Sequence, residues 1–423
     1  MGQIPKELEP TRSALHFFGA EVRRLRQALS MSQADLGKLV FVHKDLIRKI
    51  EAAERMPTEE LVNRCDDELA AGGALRRLWP MLERERRLRL SRDTSGPALV
   101  FRSEATDRPV LDWLLASTHD ARHQRGDDEV ATAAAEKLGQ LRGVDHVHGA
   151  GHTYPAVAAV LGSDLDVLVA RAPAVAAGFL ELAGYEAVDL GADGRAQRHY
   201  LRALEVVTAA GDRLYGGYLI AVSLAHLALH CGDPQQAARL AAAALRGTEH
   251  QTTPAVRAAF RAVLARAHAR RGDEAACAAA LLQVEADLAR GKPEEEPAWI
   301  RYFGEADLAD EKAHCFFDLG LHELAQREAA QAVTLLEPSR ARRLAIDTAL
   351  YAASLARARH IEHACAVGRQ AVDHAAGIAS FRSTHRIGLM MAELQPHADL
   401  PDVRDLADYV RTRLPAVVTE QDH

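Results

Sequence analysis

SQADLGKLVFVHKDLIRKIE, residues 32–51, decides how the first part of the chain folds. Ser32 with Asp35 three places on is a capping box with aspartate in the acidic position, and Leu36, Leu39 and Val40 give the helix it opens a buried face. A three-residue turn follows, holding Phe41 and a buried Val42. A second short helix begins at about Lys44, with Ile47 and Ile50 inward and His43, Lys44, Asp45, Leu46, Arg48 and Lys49 outward. Working outward, FFGAEVRRLRQAL precedes the stretch and places Phe18, Val22, Leu25 and Leu29 at helical spacing. A fourth helix opens at Thr58 after Pro57, with Leu61, Cys65 and Leu69 inward, and Gly72 and Gly73 are expected to stop it. Two short helices hinged by a tight turn are the arrangement that lays the second helix in the major groove of DNA.

Charge separates this head from the rest of the chain. The protein has 423 residues and a formal net charge of −7. Residues 1–95 carry 18 Lys+Arg against 15 Asp+Glu, so the remainder carries 34 against 44. Only seven basic residues are lysine, yet Lys38, Lys44 and Lys49 all fall inside the quoted stretch. A mildly basic head on an acidic body fits nucleic-acid contact by the head alone.

At this point the residues resemble a known family. VRRLRQALSMSQADLGKLVFVHKDLIRKIEAAERMP is similar to the XRE (lambda-repressor-like) helix-turn-helix regulators. The resemblance implies that Gln33 supports contact with the DNA backbone, that Lys44, Asp45 and Lys49 read bases, and that His43 and Arg48 lie close to them. Ser32, Lys38 and Arg55 are added as phosphate-contact candidates, and Glu51 matches a family glutamate. Four positions depart from the pattern: Gly37 replaces alanine, Phe41 the turn glycine, His43 serine or threonine, and Ala53 glycine. Phe41 is the informative one, because the turn glycine often has positive φ, which a bulky residue adopts only with strain.

Residues 72–108 change character. RRLWPMLERERRLRL reads as a basic amphipathic helix with Leu75, Leu78, Leu82 and the Trp79–Pro80 pair on its apolar side. An arm between domains, extra phosphate contacts and a membrane-surface helix are the three readings, and the alternating signs at ERERR disfavour the last. SRDTSGP marks the domain boundary.

Beyond it, alanine-rich helical stretches recur without period-2 alternation. DLGADGRAQRHYLRAL, HCGDPQQAARLAAAAL, RRGDEAACAAALLQVEADL, DLGLHELAQREAAQAV and RARHIEHACAVGRQAV align on turn positions Gly191, Gly232, Gly272, Gly320 and Arg359. Five places after each turn stands a small residue: Ala196, Ala237, Cys277, Ala325 and Ala364. A small side chain there lets the second helix of a hairpin lie against the first. The pattern resembles tetratricopeptide-like repeats, with a longer period than that family's. The fold expected is all-α: a helix-turn-helix domain at 14–71, a connector at 72–108, and a tetratricopeptide-like α-solenoid at 109–415. The longest step between turns contains GKPEEEPAWIRYFG, so Trp299, Arg301, Tyr302 and Phe303 are candidates for a ligand or partner face, or for a staple between repeats.

Other chemistry finds little support. Five scattered cysteines form neither a disulfide framework nor a zinc motif. His146, His148 and His152 in GVDHVHGAGHTYP read as a glycine-rich loop without an acidic or thiol partner, so no metal is expected. His314 and Cys315 point about 100° apart on one helix and cannot act together. No nucleophile elbow, Walker loop or dinucleotide fingerprint occurs, and neither enzymatic activity nor a cofactor is expected. The single asparagine, Asn63, lies in the head, which argues against amide-lined peptide capture. No apolar run long enough to span a bilayer and no leader are seen, so the expected location is cytoplasmic. The layout resembles actinobacterial regulators that bind double-stranded DNA as a homodimer while the solenoid senses a small molecule or peptide. A helical scaffold for a protein partner, with a vestigial head, is the alternative.

Overall fold

The computed structural model describes residues 14–53, 55–79, 81–82, 100–116 and 129–414. Every regular element among them is helical, with no strand. The fold is all-α with helical repeats. The chain divides into two compact units, Met1–Ala98 and Leu99–His423.

The head contains α1 (Ala14–Ala28), α2 (Gln33–Leu39), α3 (Lys44–Glu51) and α4 (Glu59–Glu68). Leu15, Phe18, Val22, Leu36, Val40, Ile47, Ile50, Leu61, Cys65 and Leu69 form its core. Two expected core positions are exposed. Leu29 lies one residue past the end of α1, and Leu39 is the last residue of α2. The fourth helix also ends before its glycines. Ala70 takes φ +50 and Ala71 N–H reaches back to the Asp66 carbonyl at 2.9 Å, closing the helix two residues ahead of Gly72. The Asp66 carboxylate then accepts from the backbone N–H groups of Gly73 at 2.8 Å and Leu75 at 2.9 Å. This brings Leu75 and Leu82 fully into the head's core, with Leu78 and Trp79 against it. The remainder of the basic amphipathic segment and SRDTSGP lie outside the described residues.

The second unit opens with α5 (Asp107–Leu115), α6 (Glu129–His148), α7 (Ala150–Ser163) and α8 (Leu165–Arg171). Five hairpins follow. They are α9 (Pro173–Asp189) with α10 (Asp193–Ala209); α11 (Arg213–Tyr218) and α12 (Ala225–His230) with α13 (Pro234–Gly247); and α14 (Pro254–Arg270) with α15 (Glu274–Leu288). Then come α16 (Glu305–Asp318) with α17 (His322–Leu335), and α18 (Ala341–Arg357) with α19 (Ile361–Ala376). Helices α20 (Phe381–Leu394) and α21 (Pro401–Arg413) complete the unit.

All five turn positions named from the repeat alignment have positive φ, from +64 at Arg359 to +81 at Gly232. Each closes its helix by the same pair of hydrogen bonds. At the first, Gly191 N–H donates to Val188 and Ala192 N–H to Ala187; at the last, Arg359 donates to Ala356 and His360 to Leu355. The small residues five places on are fully buried in every repeat. GVDHVHGAGHTYP is corrected from loop to helix: α6 runs through His146 and His148, Gly149 at φ +81 breaks the chain, and α7 carries His152. No single described helix is long and apolar enough to cross a membrane. The pair α7 and α8 passes that test only together, across a 69° bend, and α7 buries Tyr154, Val157 and Val160 in the core.

The superhelix turns back on itself. Helix α6 packs on both α9 and α18, and α20 reaches α9. Ala379 N–H donates to the His148 carbonyl at 3.1 Å, and Gly151 N–H to the Ala379 carbonyl at 3.2 Å. Between these ends lies Arg342, buried, whose Nη1 donates to Asp145 of α6 at 3.1 Å and to Asp189 of α9 at 2.8 Å. Asp189 also accepts from the Ser380 hydroxyl at 2.6 Å and Arg382 Nε at 3.2 Å. Burial alone would raise the Asp189 carboxyl, but the Arg382 and Arg342 guanidiniums hold it below the usual range.

Two outcomes follow from this geometry. Arg342→Met leaves two buried carboxylates without their shared counter-charge, so the repeat unit should lose about 3–5 kcal/mol. Amide hydrogen exchange in α6 and α20 should rise ahead of the other helices; unchanged exchange there would refute a closing role. Arg359→Gly removes left-handed strain of about 1–2 kcal/mol against an unfolded-chain entropy cost of about 0.4–1 kcal/mol. A higher melting temperature is expected.

Candidate nucleic-acid interface

Helix α3 is positioned by a polar clamp at its C-terminal end. Glu51 is fully buried and receives Arg26 side-on, Nε at 2.5 Å and Nη2 at 2.9 Å, from α1. Gln33 at the start of α2 donates its Nε2 to the same carboxylate at 2.7 Å. Arg23 Nη2 donates to the Glu51 carbonyl at 2.7 Å. Three side chains from two helices, with four hydrogen bonds, therefore fix one residue, and a bidentate arginine–carboxylate pair adds direction to strength. The sequence reading assigned Gln33 to the DNA backbone. Its amide donates inward, to Glu51, in the structure. Arg23 and Arg26 were not singled out, although they sit in the VRRLR motif as polar groups on the inward side of α1.

The opposite end of α3 is exposed. His43 caps it: Nδ1 lies 3.4 Å from Asp45 N–H and 3.2 Å from the Asp45 carboxylate. A neutral ring accepts from the N–H and a protonated one donates to the carboxylate. Lys44, Asp45, Arg48 and Lys49 are all exposed, and Lys44 and Lys49 form no ion pair among the described residues. Lys38, Ser32 and Arg55 are exposed as well. The Ser32 hydroxyl accepts from Asp35 N–H at 3.1 Å and donates to its carboxylate at 2.6 Å, which completes the capping box and holds the Asp35 carboxyl below the usual range.

Phe41 is in the left-handed region at φ +59, and the residue is 81% exposed. Phe41 N–H donates to Lys38 at 3.4 Å and Val42 N–H to Gly37 at 2.8 Å, the same double closure used in the repeats. Gly37 now has a reason. A Cβ there would come 2.7 Å from the Val42 carbonyl, so the close-packed turn excludes the alanine usual at that position. The Arg64 guanidinium of α4 lies 5.4 Å from the Phe41 ring centre and Arg64 also donates to the Val40 carbonyl at 3.3 Å. The turn keeps a left-handed residue despite its bulky side chain, with an arginine laid on the ring.

Residues 18–79 match the family model for the helix-turn-helix domain. The head is a helix-turn-helix DNA-binding domain. No curated protein matches the chain.

The repeat unit holds a cavity of about 580 Å³ on the inner side of the superhelix. Trp299 and Tyr302 line it, whereas Arg301 is exposed outside it and Phe303 is buried in the core. The Trp299 ring centre is 5.3 Å from that of Tyr215 and 4.9 Å from that of Tyr218. The same loop is tied down by Glu296, which accepts from Ala255 N–H at 2.9 Å. It staples two repeats and faces the cavity at once. His146 and His314 also line the cavity, while Cys315 turns away to pack with Cys277 in a separate apolar cluster.

Phe41→Gly tests how the turn is balanced. Strain relief of about 1–2 kcal/mol is offset by greater unfolded-chain freedom of about 0.4–1 kcal/mol and by the lost arginine–ring contact of about 0.5–1 kcal/mol. The head's stability should therefore move by less than about 1 kcal/mol. Phe41→Val, β-branched at positive φ, should lower the melting temperature.

Proposed function

We propose that the protein is a sequence-specific transcriptional regulator of the XRE (lambda-repressor-like) type, acting in the cytoplasm as a homodimer. Its tetratricopeptide-like repeat unit receives a signal and carries no catalytic role. The observation that supports this best is α3 itself, clamped through Glu51 at one end and offering Lys44, Asp45, Arg48 and Lys49 to solvent along its outer side. In a helix-turn-helix these positions meet base edges and flanking phosphates. One such helix covers only a few base pairs, so a two-fold pair on a palindromic site supplies the selectivity a genome requires. The Arg- and aromatic-lined cavity supports signal reception by the repeats.

The exposed Phe41 ring beside α3 favours a second reading, in which the head touches a protein rather than DNA. Binding-site selection from random duplex DNA with the full chain, followed by mobility shifts, separates the two. Under the regulator reading a consensus emerges, Lys44→Ala and Lys49→Ala each cost about 1–3 kcal/mol, and the salt slope falls by about one when a phosphate-contacting lysine is lost. No enriched sequence, with binding indifferent to both substitutions, defeats it. Light scattering at the shift concentration checks the dimer.

A further inference from the structure

The cavity of the repeat unit has a chemistry of its own. Eight arginines line it against five carboxylates. Most of the arginines are already matched. Arg142 meets Glu181 at 3.0 Å, Arg266 meets Glu311 at 3.5 Å, Arg343 meets Asp307 at 2.9 Å and Asp310 at 3.2 Å, and Arg382 meets Asp189 at 3.2 Å. Arg270 lies 3.6 Å from Asp318, and Arg342 is held by the closing pair described above. Arg340, just ahead of α18, and Arg386, on α20, are left without a carboxylate partner among the described residues. The charge of Arg386 is opposed: burial pushes the guanidinium down to about 10, and Arg266 adds to that. Nearby His314 is likewise held well below its ordinary range, first by burial and then by Arg266, Arg386 and Arg343. Asp310 and Asp318 offset part of the Arg386 charge, but neither forms an ion pair with it among the described residues.

Another part of the lining is aromatic. Tyr215 and Tyr218 stack at 5.8 Å and Trp299 tilts against both. The backbone behind it is irregular. Between α11 and α12 the residues Leu219–Leu224 form a π-helix, and its Val222 and Ser223, with Tyr218 before it and His226 after it, all line the cavity. A π segment widens the helix by one residue per turn and recurs at functional sites. Among the described residues it is the one π segment in the repeat array, and it lines the cavity.

We infer that this cavity binds a small organic oxyanion, a carboxylate or phosphate ester on an aromatic body, with Arg386 as the counter-charge and Tyr215, Tyr218 and Trp299 holding the ring. The inference deepens the proposal that the repeats receive a signal, and names the class of signal. A guanidinium fork matches both oxyanions, which is why the two share a site. The volume is in the range of small-molecule sites, about 300–1,000 Å³.

Thermal-shift and calorimetric titrations of the full chain, without DNA, test it with benzoate, phenyl phosphate, inorganic phosphate and benzamide. Benzoate or phenyl phosphate should raise the melting temperature and bind one per chain, and which of the two binds more tightly tells carboxylate from phosphate. Benzamide should do neither. Arg386→Met should weaken the binding at least tenfold and, by removing an unmatched half-buried charge, raise the melting temperature of the unliganded protein. Arg386→Lys keeps the charge and should retain weaker binding, guarding against a variant that merely misfolds. Trp299→Ala should weaken benzoate more than inorganic phosphate. No shift with either aromatic anion, an undiminished shift in Arg386→Met, or an equal shift with inorganic phosphate (an adventitious ion only) overturns the inference. Loss of DNA binding in the selection experiment would leave these results untouched, so the two proposals fail separately.

Discussion

Arg342 holds the ends of the helical array together. A solenoid built from hairpins has no intrinsic reason to close, because each repeat contacts only its neighbours. Here the guanidinium of α18 reaches across to carboxylates on α6 and α9, far away in sequence, and shuts the concave surface into a cavity. Its three charges lie where water is excluded, so the attraction is strong and so is the penalty for losing any partner. The cavity's enclosure depends on this contact and on the strand-like exchange of hydrogen bonds between Ala379 and the His148–Gly151 corner. The lining of arginines and tyrosines would otherwise face an open groove.

A second constraint recurs in both units. Helices end with one residue in the left-handed region, and two backbone N–H groups turn back to the last carbonyls. In the repeats glycine takes that position at Gly191, Gly232, Gly272 and Gly320, so the turns are stiff in the fold without stored strain. In the head the corresponding residues are Ser30, Phe41, Ala53 and Ala70. Non-glycine residues there are costlier to fold and lose less entropy on folding, so the head's turns trade strain against order.

This regularity explains what was readable in advance. Turn glycines and the small residue five places on are local signals with a fixed spacing, so Gly191 and Ala196 announced their hairpin, and even Arg359 could be placed by alignment with the others. Ser32 and Asp35 were readable for the same reason. The ring closure was not. Arg342, Asp145 and Asp189 look like ordinary surface charges in a chain rich in all three types, and nothing local says that they meet. Leu29 and Leu39 misled because helical spacing gives a face but not where the neighbouring helix stops. The six-residue π segment in YGGYLIAVSLAHLAL left no trace in the apolar pattern, since five of its six residues are buried and the sixth, Val222, is partly so. At the head, the outward residues of α3 were legible from spacing, while the clamp behind them was hidden in a motif whose arginines pass for solvent-facing.

That clamp has a mechanical consequence. An eight-residue helix is about 12 Å long, and α3 is gripped by side-chain hydrogen bonds and charge at its root, Glu51, whereas its tip at His43 and Lys44 is bare. It is a short lever. A tilt of about 5° at the root carries the tip roughly 1 Å, the difference between a made and a missed hydrogen bond. Arg23, Arg26 and Gln33 thereby set the aim of side chains that they never touch, and a change at any of them would redirect the outward face of α3 while leaving its own residues in place.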